Sequence, residues 1–447
     1  MKNNLKILIA AAELTPLAKV GGLGDVVGAL PKALINLGVN TRIIIPFYGL
    51  IDRNKYQIKL IKNNIGIGRQ AVNLWQTILP ETRIPVYLIE HGVFNGKNIY
   101  HGALADSQTD TRKFTFFSQA VLACFKATNF RPEVIHLNDW HTAAIATMVK
   151  TGGQNIKTLY TIHNLANQGV IKDKGRNLMA EGILNSGLVN TVSPTYAKEI
   201  LTQEYGCGLE KILIKRKKQL YGILNGIDTD FFNPTTDKFI KRHYLVRSLA
   251  AKSANKTALQ SQLGWPRDKN TTLVGLVTRF VRQKGVDLIT EKFSRLNCQF
   301  IFLGTGEKKY ESALLSLEKK YPDKFKVQIK FDEKLAHRIY AASDIFLIPS
   351  RFEPCGLTQM IAMRYGAVPV ARLTGGLKDT VNDNNGFSFK KSNPAELYKA
   401  LDQALTIFYH QPKIWRRLQL NGLKQNFSWE KSAKEYLKLY KKLLNKK

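Results

Sequence analysis

Hydrophobic and polar positions alternate along this chain in one recurring unit. A short apolar run ends in glycine, histidine or charged residues, and apolar residues at helical spacing follow. Leu5 to Ala12 is predicted as a buried strand, Leu17–Asp25 as a glycine-rich turn, and Val26 to Leu37 as a helix. Thr41 to Pro46 reads as the second strand, and residues 51–99 as a hairpin-like excursion containing Ala71 to Leu79 and Val86 to Glu90. An amphipathic helix is predicted from Phe114 to Ala127. Three strands then end in polar residues: Glu133 to Leu137 before Asn138-Asp139-Trp140-His141, Thr158 to Ile162 before His163-Asn164, and Leu188 to Val192 before Ser193-Pro194-Thr195. Tyr221 to Leu224 ends at Asn225-Gly226-Ile227-Asp228. Polar residues at successive strand ends are the pattern of a parallel sheet whose ligand face lies at one edge.

The alternation pauses over residues 233–270 and resumes at Leu273 to Val277, followed by Gln299 to Leu303, Lys326 to Phe331, Asp344 to Pro349 and Val368 to Ala371. The fold class expected is therefore α/β, with two Rossmann-like doubly wound domains. The boundary falls near 240, giving 1–240 and 241–429, and a carboxyl-terminal helix spans 430–447. Ser350 to Gln359 draws particular attention. Pro354 suits a first helical turn, so Glu353 is expected where a strand passes into a helix, facing the amides of Cys355, Gly356 and Leu357 and next to Thr358. Glu353 reads either as a helix-terminal carboxylate or as a group that handles a polyhydroxyl or anionic ligand.

Composition narrows the classes. The chain has 447 residues and 44% hydrophobic content, enough for large cores. No apolar run reaches the roughly 18–20 residues of a membrane span, so no membrane partner is expected. The start, MKNNLKILIAAAE, resembles a leader, but Lys6 and Glu13 favour a buried strand. Cys124, Cys207, Cys298 and Cys355 form no CxxC, which points to a reduced, cytoplasmic protein. The net charge of +33 is spread along the chain, with a few local runs such as Lys211–Lys218 and the tail from Lys438. A dispersed excess of lysine reads as solvated helix faces that attract small anions; no nucleic-acid partner is expected.

Candidate chemistry gathers at the turns. Lys19, Gly21, Gly22 and Asp25 combine a mobile cation with backbone that a ligand can approach closely. The loop lacks both the GxGxxG pattern and the P-loop ending. Arg279 and Lys284 flank one strand–helix turn, and with Gly375 and Gly376 they suggest a diphosphate site. His163, His141 and Asp139 at adjacent strand ends suggest a catalytic or binding cluster. A zinc site from His136, Asp139, His141 and His163 has no HExxH spacing, and Asp228-Thr229-Asp230 reads as turn chemistry rather than a metal-binding DxD.

Taken together, KVGGLGDV, HLNDWH, TIHNLANQG, TVSPTYAKEI, ILNGID, TRFVRQKG, LGTG, SRFEPCGLTQ, TGGLKDTV and NNGF resemble the bacterial glycogen synthases and plant starch synthases over nearly the whole length. The resemblance implies a glycosyltransferase-B architecture, with an amino-terminal acceptor-side domain, a nucleotide-sugar-binding domain facing it across a cleft, and a last helix that crosses back. It implies retaining transfer of glucose from ADP-glucose to the 4-hydroxyl at the non-reducing end of glycogen or another α-1,4-glucan primer, with no metal and no cofactor. Lys19 and its loop would meet the nucleotide sugar, and Arg279 and Lys284 the diphosphate. Glu353 and the amides after it would lie along the glucose, with His163 and Asn225 touching the same sugar. Front-face transfer is the favoured route. Phe331 stands where the family often has Tyr, so stacking on the base survives and a hydroxyl contact does not; Thr109-Asp110 and Lys113-Phe114 are mild departures from the family's Asp-Asn and Arg-Phe. Two alternatives remain: a transferase of the same fold using UDP-glucose or another acceptor, and a non-catalytic glucan- or polyanion-binding protein.

Overall fold

The central strands of the first sheet are buried on both faces, as their near-continuous apolar runs require, while the edge strands Lys59–Ile67 and Leu220–Gly222 are largely exposed or half-buried. In spatial order it contains Leu220–Gly222, Leu188–Thr191, Lys157–Ile162, Val134–Asn138, Lys6–Ala10, Asn40–Pro46, Pro85–Glu90, Gln70–Ile78 and Lys59–Ile67. The pairs are parallel as far as Pro85–Glu90; the hairpin of the last two strands then extends the edge antiparallel. The computed structural model describes residues 5–101, 108–125, 127–153 and 155–445. Met1–Asn4 of the leader-like start, Lys126 of the predicted helix and the final Lys446 and Lys447 lie outside the described residues.

The second sheet runs Phe325–Ile329, Cys298–Gly304, Thr272–Val277, Ile345–Ile348, Val368–Arg372 and Phe387–Phe389, all parallel. In both sheets the chain order reverses beside the first strand of the unit. The reversal lies between Lys6–Ala10 and Val134–Asn138 in one, and between Thr272–Val277 and Ile345–Ile348 in the other. Loops diverge at such switch points, which leaves a crevice beyond the strand carboxyl ends.

The chain divides into two compact units, residues 1–226 with 429–447, and residues 227–428. The division falls at Gly226 and not near 240, because residues 227–240 are anchored in the second unit. The Phe232 ring stacks on His337 with centroids 4.9 Å apart. The Asp237 carboxylate accepts hydrogen bonds from the His337 ring at 2.7 Å and from the Tyr365 hydroxyl at 2.6 Å.

The helix Trp429–Leu444 belongs to the first unit, where it packs on helix Gly22–Asn36 and strand Lys157–Ile162. Its buried stripe is Trp429, Ala433, Tyr436, Tyr440 and Leu443. Polar contacts fix its register: Ser432 Oγ donates to Leu224 O at 2.6 Å, Asn190 Nδ2 donates to the Tyr436 hydroxyl at 3.2 Å, and Tyr440 meets His136 Nδ1 at 2.8 Å. Tyr436→Ala is expected to destabilise the first unit by about 3–5 kcal/mol, the usual cost of removing a buried aromatic ring. Urea denaturation followed by a probe in that unit checks this, and a loss under about 1 kcal/mol would contradict the packing described.

Candidate active site

In the second unit, Ile345–Ile348 delivers Pro349 and Ser350 to the switch point, and Glu353 follows in an irregular loop. The helix after it starts at Thr358, so Pro354 precedes the helix rather than sitting in its first turn, and Glu353 is not its cap. Glu353 is held by side chains instead. Its Oε2 accepts from Lys284 Nζ at 2.5 Å and from Ser350 Oγ at 2.9 Å, and the carboxylate is only 6% exposed. The turn carrying Lys284 opens no α-helix. It consists of the 3-10 turns Arg282–Lys284 and Val286–Leu288, with Gly285 between them at φ +66°. A Cβ at Gly285 would lie 2.1 Å from Pro349 O, so only glycine lets the Lys284 turn reach the strand end. Arg351 adds a second tie, with Nη1 and Nη2 donating to the two Asp287 oxygens at 2.6 and 2.7 Å. Arg279 is exposed beyond the strand end.

Gly375 and Gly376 pass directly under the Glu353 loop. Added Cβ atoms would meet Glu353 O at 1.9 Å and Cys355 O at 2.1 Å, and the Gly376 N–H donates to Glu353 O at 3.1 Å. Their part is to hold the loop; the Gly376 amide is already engaged and is not open to a phosphate. Gly356 is left-handed at φ +72°, and Gln359 Nε2 braces that turn by donating to Gly356 O at 2.8 Å. Val277, Lys284, Ser350, Glu353, Gly356 and Thr358 line a small cavity of about 50 Å³. Phe331 sits two residues past its strand and is 83% exposed.

In the first unit the glycine loop is positioned by Glu13, a residue the sequence did not single out. This carboxylate is 4% exposed; its Oε2 accepts the Val20 and Gly21 N–H groups at 2.8 Å each, and its Oε1 accepts the Tyr100 hydroxyl at 2.6 Å. A lone Glu at a strand end carries no spacing signal, and its partner Tyr100 is distant in sequence. Lys19 pairs with Asp25 at 2.6 Å. A Cβ on Gly22 would meet nothing within 4 Å, and one on Gly21 would touch only Glu13 Oε1, at 3.9 Å. The protein itself therefore does not demand glycine at either position by contact.

At the adjoining strand ends, Asp139 Oδ1 accepts the His163 N–H at 2.7 Å and the Asn164 N–H at 3.4 Å, from a left-handed backbone at φ +54°. Burial pushes its carboxyl up to about 7, against the two amides and with Glu13 adding to the rise. The His163 ring is held by Asn138: Asn138 Nδ2 donates to Ala10 O at 3.0 Å, which turns its Oδ1 toward His163 Nε2 at 2.9 Å. Nε2 therefore donates and Nδ1 is left as an acceptor. Burial lowers His163 to about 3, so the ring is neutral.

His136 and His141 lie deeper in the first unit than His163. His136 bonds Tyr440 and Thr161, and His141 lies among the rings of Tyr100, Phe114 and Trp140. Among the described residues no three His, Cys, Asp or Glu side chains are grouped to hold a metal ion. Asp228 Oδ1 accepts the Asp230 and Phe231 amides, which is turn chemistry. Asn225 is buried with its Oδ1 unpartnered among the described residues.

Residues 6–215 match the family model described as the starch synthase catalytic domain, and residues 256–413 match that of the glycosyl transferases group 1. The catalytic domain of starch synthase IV from Arabidopsis thaliana, solved bound to ADP and acarbose, is similar at a TM-score of 0.91 and 35% identity, covering 99% of this chain and 100% of that one. Sucrose-phosphate synthase from Thermosynechococcus elongatus shares the fold at a TM-score of 0.67 and 19% identity, over 98% of this chain and 99% of that one. Two such sheets, with these matches, define a glycosyltransferase of the B architecture. Glycogen synthase from Thermotoga petrophila is 40% identical over 99% of both chains, and glycogen synthase 1 from Synechocystis is 40% identical over 99% of this chain and 96% of its own. The chain belongs to the glycogen and starch synthase family.

Asp139 gives a pH prediction. Its folded value lies above the ordinary carboxylate value, so its protonated form is favoured by folding. That contribution is complete below about pH 4 and is lost as pH rises through about 7. Asp139→Asn keeps the oxygen that accepts the His163 amide but cannot ionise. The variant's stability relative to wild type is therefore expected to rise between pH 4 and 7.5, by on the order of a few kcal/mol. Parallel denaturation curves across that range test it; a constant difference would mean that Asp139 titrates normally.

Proposed function

We propose that this chain is a retaining glucan synthase, cytoplasmic and independent of metal and cofactor, that transfers glucose from ADP-glucose to the non-reducing 4-hydroxyl of glycogen or a similar α-1,4-glucan. The observation carrying this reading is the Glu353–Lys284 pair at the switch point of the second sheet, with Arg279 beyond it. A diphosphate arriving there meets cations that balance the charge released when the C1–O bond to phosphate breaks. One well-placed donor of this kind is typically worth ~3–4 kcal/mol in the transition state. Glu353, pinned by Lys284 and Ser350, is the carboxylate that orients the glucose and answers positive charge growing on its ring. In front-face transfer the new C1–O4 bond forms on the side the phosphate leaves, and the acceptor proton passes to a phosphate oxygen. Phe331, already exposed, is the platform for the base. Within the first unit, Lys19 and the open backbone at Gly21 and Gly22 meet the nucleotide sugar, with Asp25 setting Lys19. His163 and Asn225 offer a neutral acceptor each to sugar hydroxyls, and Asp139 holds the His163 backbone. Nothing favours a nucleic-acid or membrane partner; among the described residues no helix is long and apolar enough to cross a membrane.

The test is incubation with glycogen and labelled ADP-glucose or UDP-glucose. ADP-glucose is expected to be the better donor, and preference for UDP-glucose would overturn that assignment. Lys284→Ala and Glu353→Ala should each lower kcat by orders of magnitude while the fold persists by circular dichroism. Near-wild-type turnover in both would sink the mechanism. Binding of glycogen without transfer from any nucleotide donor would make the chain a glucan-binding protein instead.

A further inference from the structure

A second cavity of the second unit lies apart from the Glu353 site and shares none of its lining residues. It encloses about 310 Å³. One wall is the segment Lys238 to Lys241, another is the face of helix Lys252–Gln262 that carries Ala258, Leu259 and Gln262, and Arg338 of helix Glu333–Ala342 closes the end. Three cations line it and no carboxylate does.

The guanidinium is fixed in place. Arg338 Nε donates to Phe239 O at 3.1 Å and Nη1 donates to Gln262 Oε1 at 3.2 Å, while Nη2 makes no hydrogen bond among the described residues. Lys238 and Lys241 form no ion pair among the described residues. The Lys238 ammonium lies 5.3 Å from the Phe239 ring centroid, at the rim. Two acids stand at the start of the Arg338 helix, Asp332 and Glu333. Neither lines the cavity. Asp332 accepts the Leu335 N–H at 2.9 Å, pairs with Lys330 and also feels the Arg338 charge.

We infer that this cavity binds a small phosphate ester. The lining side-chain groups that remain unengaged are donors: two ammonium groups, one guanidinium nitrogen and the Gln262 amide nitrogen, while the Asn255 side chain is already bonded to Arg242. That set matches a dianion whose terminal oxygens only accept, and a rigid guanidinium beside flexible ammoniums is suited to phosphate. Ala258 and Leu259 give the ester's organic part an apolar floor. The volume is at the small end of ligand pockets, which fits a metabolite rather than a polymer. A bound ester ties residues 238–241 to both helices, and those residues belong to the segment that leads into the second unit from Gly226.

The test is thermal denaturation of the full chain with increasing glycerol 2-phosphate, against sodium sulfate at equal ionic strength. The wild type is expected to show a saturable rise in Tm that sulfate does not match. The double variant Lys238→Ala, Lys241→Ala changes only exposed side chains; it should require at least tenfold more ester for the same rise, and Arg338→Gln should behave alike. Lys284→Ala should leave the rise intact, which separates this cavity from the Glu353 site and from the function proposed for it. The inference is overturned by an absent rise, by an equal rise with sulfate, by an undiminished rise in the double variant, or by its loss in Lys284→Ala.

Discussion

Much of this molecule depends on how closely two loops can approach one strand end. The carboxylate of Glu353 is buried, and a buried charge is costly unless a partner and hydrogen bonds compensate it. Lys284 and Ser350 supply both. Lys284 could not do so if its turn stood off by one methyl group, and Gly285 removes that methyl. Gly375 and Gly376 do the same from below. The pair is therefore preorganised by backbone packing, with the side chains of Arg351 and Gln359 as braces. The Glu353 carboxylate in turn fixes the Lys284 ammonium at the strand end.

The two units solve different electrostatic problems. At the second sheet the strand end carries the Lys284–Glu353 ion pair, and the chemistry proposed there is that of a leaving diphosphate. At the first sheet burial works the other way. Asp139 is raised to about 7, and His136, His141 and His163 are lowered to about 3, so the three imidazoles are neutral and the carboxyl is partly protonated near neutral pH. Neutral donors and acceptors suit sugar hydroxyls, which offer no charge to pair. The Asn138–His163 hydrogen bond there is between neutral partners.

The doubly wound order of both sheets was legible because each strand is a short apolar run with polar punctuation, and burial on both faces leaves no other reading. The family motifs lie on those same punctuations. What was not legible depends on long-range partners. Residues 233–270 look connective until Asp237 finds His337 and Tyr365, which are roughly a hundred positions away, as the neighbouring Phe232 finds the His337 ring. Pro354 obeys a rule for helix starts, but the helix begins later because Gly356 is left-handed and breaks the turn. Gly285 acts in the same way on the turn predicted to open a helix. Glu13 was invisible because its role is set by amides and a tyrosine that only the fold brings to it. Gly375 and Gly376 looked like anion-binding glycines because a tight backbone crossing and a phosphate cradle need the same residue type.

That ambiguity between packing and binding can be resolved residue by residue. A glycine required by the fold has backbone where its Cβ would be, as Gly285 and Gly375 do. A glycine required by something else has open space there, as Gly22 does. The same test extends beyond glycine. Asn225 leaves a buried oxygen without a donor, Phe331 offers nearly its whole ring to water, and Asp139 combines a left-handed backbone with a raised carboxyl. Each is unfavourable for an isolated protein, and each departs from a rule that its neighbours obey. All were also assigned to the substrate by the sequence motifs. The sequence reading and the local cost meet at these positions, whereas Gly375 and Gly376 have a packing reason of their own. Their sequence assignment to the diphosphate is better replaced by a mechanical one: they hold the backbone of Glu353 at the height its lysine requires.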